Sequence, residues 1–297
     1  MSASRRSELT KEASDGRAVN VLRSVLYMPS SNERALEKAK TLPADAIIFD
    51  LEDAVAPDAK EAARANAVAA VTSGEYGGKV LTIRCNGLDT PWGADDLAAA
   101  AAARPHAVVV PKVSGPAHLE QVVAITGDVP VWAMVETPAA LFAVREIAQF
   151  PQVSTLVMGT NDLAKELRAA LVKGRAPLLP HLATALLAAR EAGKAIVDGV
   201  FNDVLDLDGF REECVQGQQM GFDGKTLIHP GQVEVANEVW APTEDEIAQA
   251  KKVVEAFAEA ERDGRGVVVV DGRMVENLHR DIAQRVLATA EAIAALA

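Results

Sequence analysis

The chain has 297 residues, 49% of them hydrophobic, and sets 30 Lys+Arg against 42 Asp+Glu for a net charge of −12. That excess of acid disfavours nucleic acid and anionic membrane surfaces as partners, yet leaves room for an anionic substrate held by local Arg and Lys. No apolar run approaches membrane-spanning length, and Cys85 and Cys214, two isolated cysteines without CxxC spacing, suit reduced thiols in a cytoplasmic protein.

Residues 1–20 are polar and charged with no apolar signal-peptide core, which predicts a disordered leader. From residue 21 onward, apolar runs alternate with helical patterns. Strands are predicted at 21–29, 46–53, 80–86, 107–113, 131–137, 155–162, 195–202 and 224–229. Helices are predicted at 33–41, 59–71, 95–103, 117–126, 139–149, 181–192 and 209–221, with an irregular excursion at 168–180. Eight such units match the count and length of a (β/α)8 TIM barrel occupying 21–242. The strands are continuous apolar runs, as a parallel sheet covered by helices requires. The alternative is an open doubly wound sheet, whose dinucleotide-binding version is disfavoured because no Gly-x-Gly-x-x-Gly follows any strand. Residues 243–297 form an extension. A helix at 244–262 places Ile247, Ala250, Val254, Phe257 and Ala258 on one face. An extended run at 266–270, a hairpin turn at Asp271-Gly272 and a last helix from about Asn277 complete it. This part exceeds what a barrel needs and suits a lid, an oligomer contact, or both.

In a barrel, side chains at the carboxyl ends of the strands face the ligand. Glu136 in Val131-Trp-Ala-Met-Val-Glu-Thr-Pro138 and Asp162 in Leu156-Val-Met-Gly-Thr-Asn-Asp-Leu163 each close an apolar run. A charge in that position is costly unless paired, and two acids together suit a hard, oxygen-liking cation, most simply Mg2+. The same register brings Arg23, Tyr27, Asp50, Glu52, Asp53, Arg84, Asn86, Lys112, Asn161, Asp198, Asn202, Lys225 and His229 to one mouth. Such a mixture suits a metal with an anionic, carbonyl-bearing substrate. Asp50 and Glu52 share one face of their strand and Leu51 and Asp53 the other, so one pair is expected at the mouth and the other as a helix cap. Arg84 beside Asn86-Gly87 offers a bidentate grip on carboxylate or carbonyl oxygens. Lys112 has two readings, a ligand contact or a lysine snorkelling at a strand end. His229 before Pro230 is either a residue that starts a helix or a catalyst. His106, His118, His181 and His279 lack zinc-ligand spacing, and Ser30 and Ser31 lack the nucleophile elbow of a serine hydrolase.

These strand-end residues carry a resemblance. The strings Arg23-Ser-Val-Leu-Tyr-Met-Pro29, Phe49-Asp-Leu-Glu-Asp-Ala-Val55, Ile83-Arg-Cys-Asn-Gly87, Val110-Pro-Lys112, Val135-Glu-Thr137, Met158-Gly-Thr-Asn-Asp162 and Ile228-His-Pro230 resemble, in order, the citrate lyase β-subunit-like family of HpcH/HpaI aldolases. The resemblance implies a Mg2+-dependent TIM barrel, with Mn2+ as a substitute, acting on 3-hydroxyacyl-CoA thioesters. It implies that Glu136 and Asp162 bind the metal and that Arg84 holds the substrate. Asp50, Glu52 and Asp53 would support them, and Lys112 would line the substrate site. It places Tyr27, Asn32 and Lys38 at the CoA contacts, although Asn32 stands where malyl-CoA lyases have an arginine. It also implies a homo-oligomer, a trimer or hexamer.

In the lyases a C-terminal Met-Val-Asp-like motif, supplied by a neighbouring subunit, carries a catalytic aspartate. Here the motif is Arg273-Met-Val-Glu-Asn-Leu-His279 and the acid is Glu276. This form, with Lys225-Thr-Leu-Ile-His-Pro230, resembles the thioesterase branch more than the lyases. A glutamate extends the carboxylate by roughly 1.5 Å, and displacements of that size redirect catalysis. Three functions therefore stand: hydrolysis of malyl-CoA-type thioesters, retro-aldol cleavage of malyl-CoA or citramalyl-CoA, and a non-catalytic subunit.

Overall fold

The computed structural model describes residues 21–262 and 268–296. The leader expected at 1–20, and Gly266 and Val267 of the expected extended run, lie outside the described residues. Contacts divide the described chain into two compact units, Leu22–Trp240 and the residues from Ala241 onward.

The first unit is a closed parallel barrel in the order β1 to β8. Its strands are β1 (Ser24–Pro29), β2 (Ala46–Asp50), β3 (Val80–Arg84), β4 (Ala107–Val110), β5 (Val131–Val135), β6 (Val153–Met158), β7 (Ala195–Asp198) and β8 (Gly224–Leu227). The connecting helices are α1 (Glu33–Ala39), α2 (Lys60–Thr72), α3 (Gly93–Ala103), α4 (Pro116–Thr126), α5 (Pro138–Phe142), α6 (Val144–Gln149), α7 (Thr160–Leu167), α8 (Leu179–Glu191), α9 (Leu207–Met220) and α10 (Val233–Trp240). Alternation along each strand builds two apolar layers. Val25, Ile48, Val109, Met134, Val157 and Val197 fill the barrel interior. Their neighbours Leu26, Ile47, Val108, Ala133, Leu156 and Ile196 pack outward with the helices. Each fully buried aliphatic side chain contributes about 1.5–3 kcal/mol.

The expected open-sheet alternative is excluded by closure, since β1 pairs with both β2 and β8. Two helices go beyond the sequence expectation. Gly159 ends β6 earlier than the apolar pattern suggests, so α7 begins at Thr160 and takes Asp162 into its first turn. α10 follows β8 through a short 3-10 turn. The helix expected at 139–149 is broken at Ala143, whose backbone leaves helical geometry between α5 and α6.

The second unit contains α11 (Glu244–Arg262), a hairpin of β9 (Val268–Val270) and β10 (Arg273–Val275), and α12 (Asn277–Ala294). Its own core joins Ala250, Val253, Phe257, Ala260, Val268, Val270, Val275 and Ala283. Ala258, expected on the apolar face of α11, is exposed; the buried stripe passes through Val253 and Ala260 instead.

Candidate active site

The carboxyl ends of the strands border a cavity of about 360 Å3 lined by Tyr27, Asp50, Arg84, Glu136, Asp162 and Thr226, among others. Glu136 directly follows β5 and is 1% exposed. Its Oε1 accepts the Lys112 backbone N–H at 2.6 Å. Lys112 achieves that aim with a φ of 49°, in the left-handed region that side chains disfavour. Gly159 packs against the same carboxylate: a Cβ there would stand 2.3 Å from Glu136 Oε2. Burial pushes the Glu136 carboxyl up to about 7; the Glu52 and Asp162 charges push the same way, against the Lys112 N–H. Asp162 approaches from the first turn of α7, where the helix dipole favours an anion.

Arg84 ends β3 and is 7% exposed. Its Nε and Nη2 donate to the two oxygens of Asp50, each at 2.7 Å. Nη1 lies 2.5 Å from Glu52 and 3.5 Å from Asp53. The guanidinium stacks on Tyr27 at 4.9 Å from the ring centroid. Burial opposes its charge, but the charge and hydrogen bonds of Asp50, together with Tyr27 and Glu52, outweigh it, so the Arg84 pKa stands well above its ordinary value. The bidentate face of Arg84 is therefore occupied by Asp50. Toward a ligand it offers positive charge and the Nη edge beside Glu52, rather than the open fork expected from sequence. Lys112 brings Nζ to 3.5 Å from Glu52 with about half its side chain exposed, so it sits at the rim of this cluster.

The mouth thus assembles Tyr27, Asp50, Glu52, Asp53, Arg84, Lys112, Glu136 and Asp162. The expected division of the acids fails: Asp50, Glu52 and Asp53 all turn to Arg84, and β2 ends at Asp50, which releases Glu52 from strand alternation. Asn32 is the N-cap of α1, its Oδ1 accepting Ala35 N–H at 3.1 Å, and Lys38 is exposed on that helix. Glu276 is exposed just before α12 in the second unit. Several expected mouth residues lie elsewhere. Arg23 precedes β1 and grips Asp45 at the amino end of the barrel, at 2.7 Å. Asp198 and Lys225 face the outer layer, 2.8 Å apart, in a buried cluster with Arg175 and Glu213. His229 accepts the Gly231 N–H at 3.1 Å, which makes it the residue that starts the turn before α10. Lys60, absent from any sequence motif, binds beneath the β2 turn; no signal separates it from a surface lysine at the start of an alanine-rich helix.

Among the described residues, no group of three or more His, Cys, Asp or Glu side chains is placed to hold a metal. Glu136 and Asp162 nevertheless fit Mg2+. Both donors are carboxylates, and Mg2+ takes one or two such ligands and fills its remaining positions with water and substrate oxygen; Glu136 is buried, and the Glu52 and Asp162 charges disfavour its ionised form, a cost that a cation would offset.

Comparison with known proteins decides the lineage. The family profile described as HpcH/HpaI aldolase/citrate lyase matches residues 23–230. This chain belongs to that family. A (3S)-malyl-CoA thioesterase of Cereibacter sphaeroides is 53% identical over 92% of this chain and 96% of its own length. The citrate lyase subunit beta of Escherichia coli is 33% identical over 93% of this chain and 95% of its own. Among solved structures, the protein CitE from Mycobacterium tuberculosis, in complex with magnesium, acetoacetate and coenzyme A, superimposes with a TM-score of 0.75 at 29% identity. It covers 90% of this chain and 97% of its own. The TIM-barrel architecture of the HpcH/HpaI family is the one found here, closed by eight parallel strands.

Proposed function

We propose that this enzyme hydrolyses (3S)-malyl-CoA, or a closely similar short 3-hydroxyacyl-CoA, to the free acid and CoA, with Mg2+ held by Glu136 and Asp162. Likeness to the thioesterases over nearly the whole chain carries this reading. Mg2+ bound there would polarise a substrate oxygen. Arg84, charged at every working pH and held by Asp50, orients the anionic acyl group and stabilises charge developing beside it. Tyr27 supports the guanidinium from below, while Glu52 fixes its Nη edge and draws Lys112 to the rim. Glu276, supplied by its own chain or a second copy, takes a proton from water. The resulting hydroxide adds to the thioester carbonyl; the C–S bond then breaks, and the thiolate leaves and takes up a proton. Asn32 at the start of α1, Lys38 in its last turn and Lys112 at the rim are the residues proposed to contact CoA.

Incubation with (3S)-malyl-CoA and Mg2+, with a trap for glyoxylate, tests this. Free malate and CoA without glyoxylate are expected; stoichiometric glyoxylate and acetyl-CoA would instead establish the lyase. That second reading has its own support in the one-third identity to citrate lyase beta subunits. Among the described residues no helix is long and apolar enough to cross a membrane. We further infer a cytoplasmic homo-oligomer, supported by buried free thiols at Cys85 and Cys214 and by exposed apolar side chains such as Phe142 and Met274.

A further inference from the structure

Lys60 begins α2 and is 5% exposed. A buried ammonium must place three protons, and an unmet one is costly. Lys60 Nζ donates to the backbone oxygens of Leu51 and Glu52, both at 2.7 Å, and to Asn86 Oδ1 at 2.8 Å. The Trp92 ring lies 5.2 Å from it. Asn86 is itself fixed, its N–H and Nδ2 donating to Asp96 Oδ2 at 3.0 and 2.6 Å, and its Nδ2 also donates to the Leu51 oxygen at 2.9 Å, so it bridges Lys60 and the same turn. Asp96 is in turn held by Arg64 Nε at 2.6 Å. On the cavity side, Asp50 accepts the N–H groups of Glu52 and Ala54 at 2.9 and 3.2 Å. The turn after β2 is therefore gripped from below by Lys60 and from above by Asp50. The acids of this same stretch are the ones that hold Arg84. Lys60 spends its charge on main-chain carbonyls and a carboxamide, so what it fixes is backbone.

We propose that Lys60 is a positioning residue: its ammonium pins the Leu51–Glu52 backbone so that Asp50 and Glu52 present Arg84 to the substrate. The kinetic consequence rests on the hydrolase reading above; the effect on Arg84 does not. Outer residues that orient the groups of a site typically alter activity 10- to 100-fold.

Two readouts test this in the full-length protein. In Lys60→Met, kcat for (3S)-malyl-CoA should fall about 10- to 100-fold with a smaller change in KM, and the Arg84 Nε–H NMR resonance, identified by its loss in Arg84→Lys, should shift or broaden. In Lys60→Ala, ethylammonium should restore part of kcat. Tetraethylammonium, which has no N–H, should not, and a merely structural lesion would respond to neither. Wild-type kinetics with an unmoved Arg84 resonance in folded Lys60→Met would overturn the proposal, as would equal effects of the two ammonium ions. Should Lys60→Met not fold, Lys60→Arg, which keeps the charge but cannot place three protons from one nitrogen on these acceptors, decides; an unmoved Arg84 resonance there overturns the proposal. If the wild type does not hydrolyse the thioester, the hydrolase reading fails and the Arg84 resonance alone decides the role of Lys60.

Discussion

Glu136 places a measurable cost in the metal-free protein. Its carboxyl is raised from 4.5 to about 7, chiefly by burial. Between those values the folded protein keeps a proton that the unfolded chain has released, so stability contributed by this group is present below pH 4.5 and is lost as pH rises through 7. At pH 8 the loss is on the order of 3 kcal/mol. Glu136→Gln, which can still accept the Lys112 N–H, should therefore raise the metal-free protein's Tm at pH 8 and leave it nearly unchanged at pH 4. Mg2+ should raise the Tm of the wild type at pH 8 and do so much less for the variant. Equal Tm values for the two proteins at pH 8 would refute the raised pKa. Glu136 was legible in the sequence because an acid closing a buried apolar strand is too costly to stand there without a partner. Lys60 was not, because its importance lies in main-chain acceptors of the turn after β2, which carry no side-chain signal in the sequence. The grip of Asp50 on Arg84 was also hidden, since neighbouring-strand register fixes it, Asp50 pairing with Arg84 across β2 and β3.

At the scale of elements, the junction of β6 and α7 positions the proposed metal pair. Gly159 leaves no room for a side chain beside Glu136, where a Cβ would also lie 2.4 Å from the glutamate's own Cβ. Gly159→Ala should displace Glu136 and weaken Mg2+ binding at least tenfold, read by calorimetry, while the circular dichroism spectrum stays that of the wild type. The outer cluster makes a different prediction. Lys225 is fully buried and donates to Asp198 and Glu213, both at 2.8 Å. Lys225→Met leaves two buried acids with Arg175 alone and should cost about 3–5 kcal/mol in urea unfolding. The sequence misplaced this pair for a simple reason. Period-two alternation fixes which residues share a face, and a one-residue error in register turns every side chain over. In β7, Val197 faces the barrel interior and Ile196 the helices, so Asp198 faces outward too. The strand count, the order of elements and the closed barrel were all readable from alternating apolar runs. The start of α7 was not, because the polar run Thr160-Asn161-Asp162 reads equally well as the carboxyl end of a strand and as the first turn of a helix.

At the scale of the whole molecule, the acid proposed as the base, Glu276, lies in the second compact unit, more than a hundred residues beyond Glu136 and Asp162 in sequence. Its motif was readable, but whether it would act on its own or another copy's barrel was not, because sequence order carries no information about which copy of a chain completes a site. A complementation experiment resolves this. Glu136→Gln should remove the proposed metal site and leave the second unit intact; Glu276→Gln should do the reverse. Each variant alone should be inactive. If Glu276 acts on the barrel of a second copy, mixing the two in equal amounts under exchange conditions should restore activity. Half of the barrels are intact and half of their neighbours supply an intact Glu276, so recovery should reach about one quarter of the wild-type rate in a randomly mixed ring. If Glu276 serves its own barrel, every chain carries one lesion in its only site and the mixture stays inactive. Glu276→Asp then separates the chemistries in the same assay: shortening the acid should raise glyoxylate release relative to malate release. An unchanged product ratio would remove side-chain length as an argument for the proposed thioester hydrolysis over carbon–carbon cleavage.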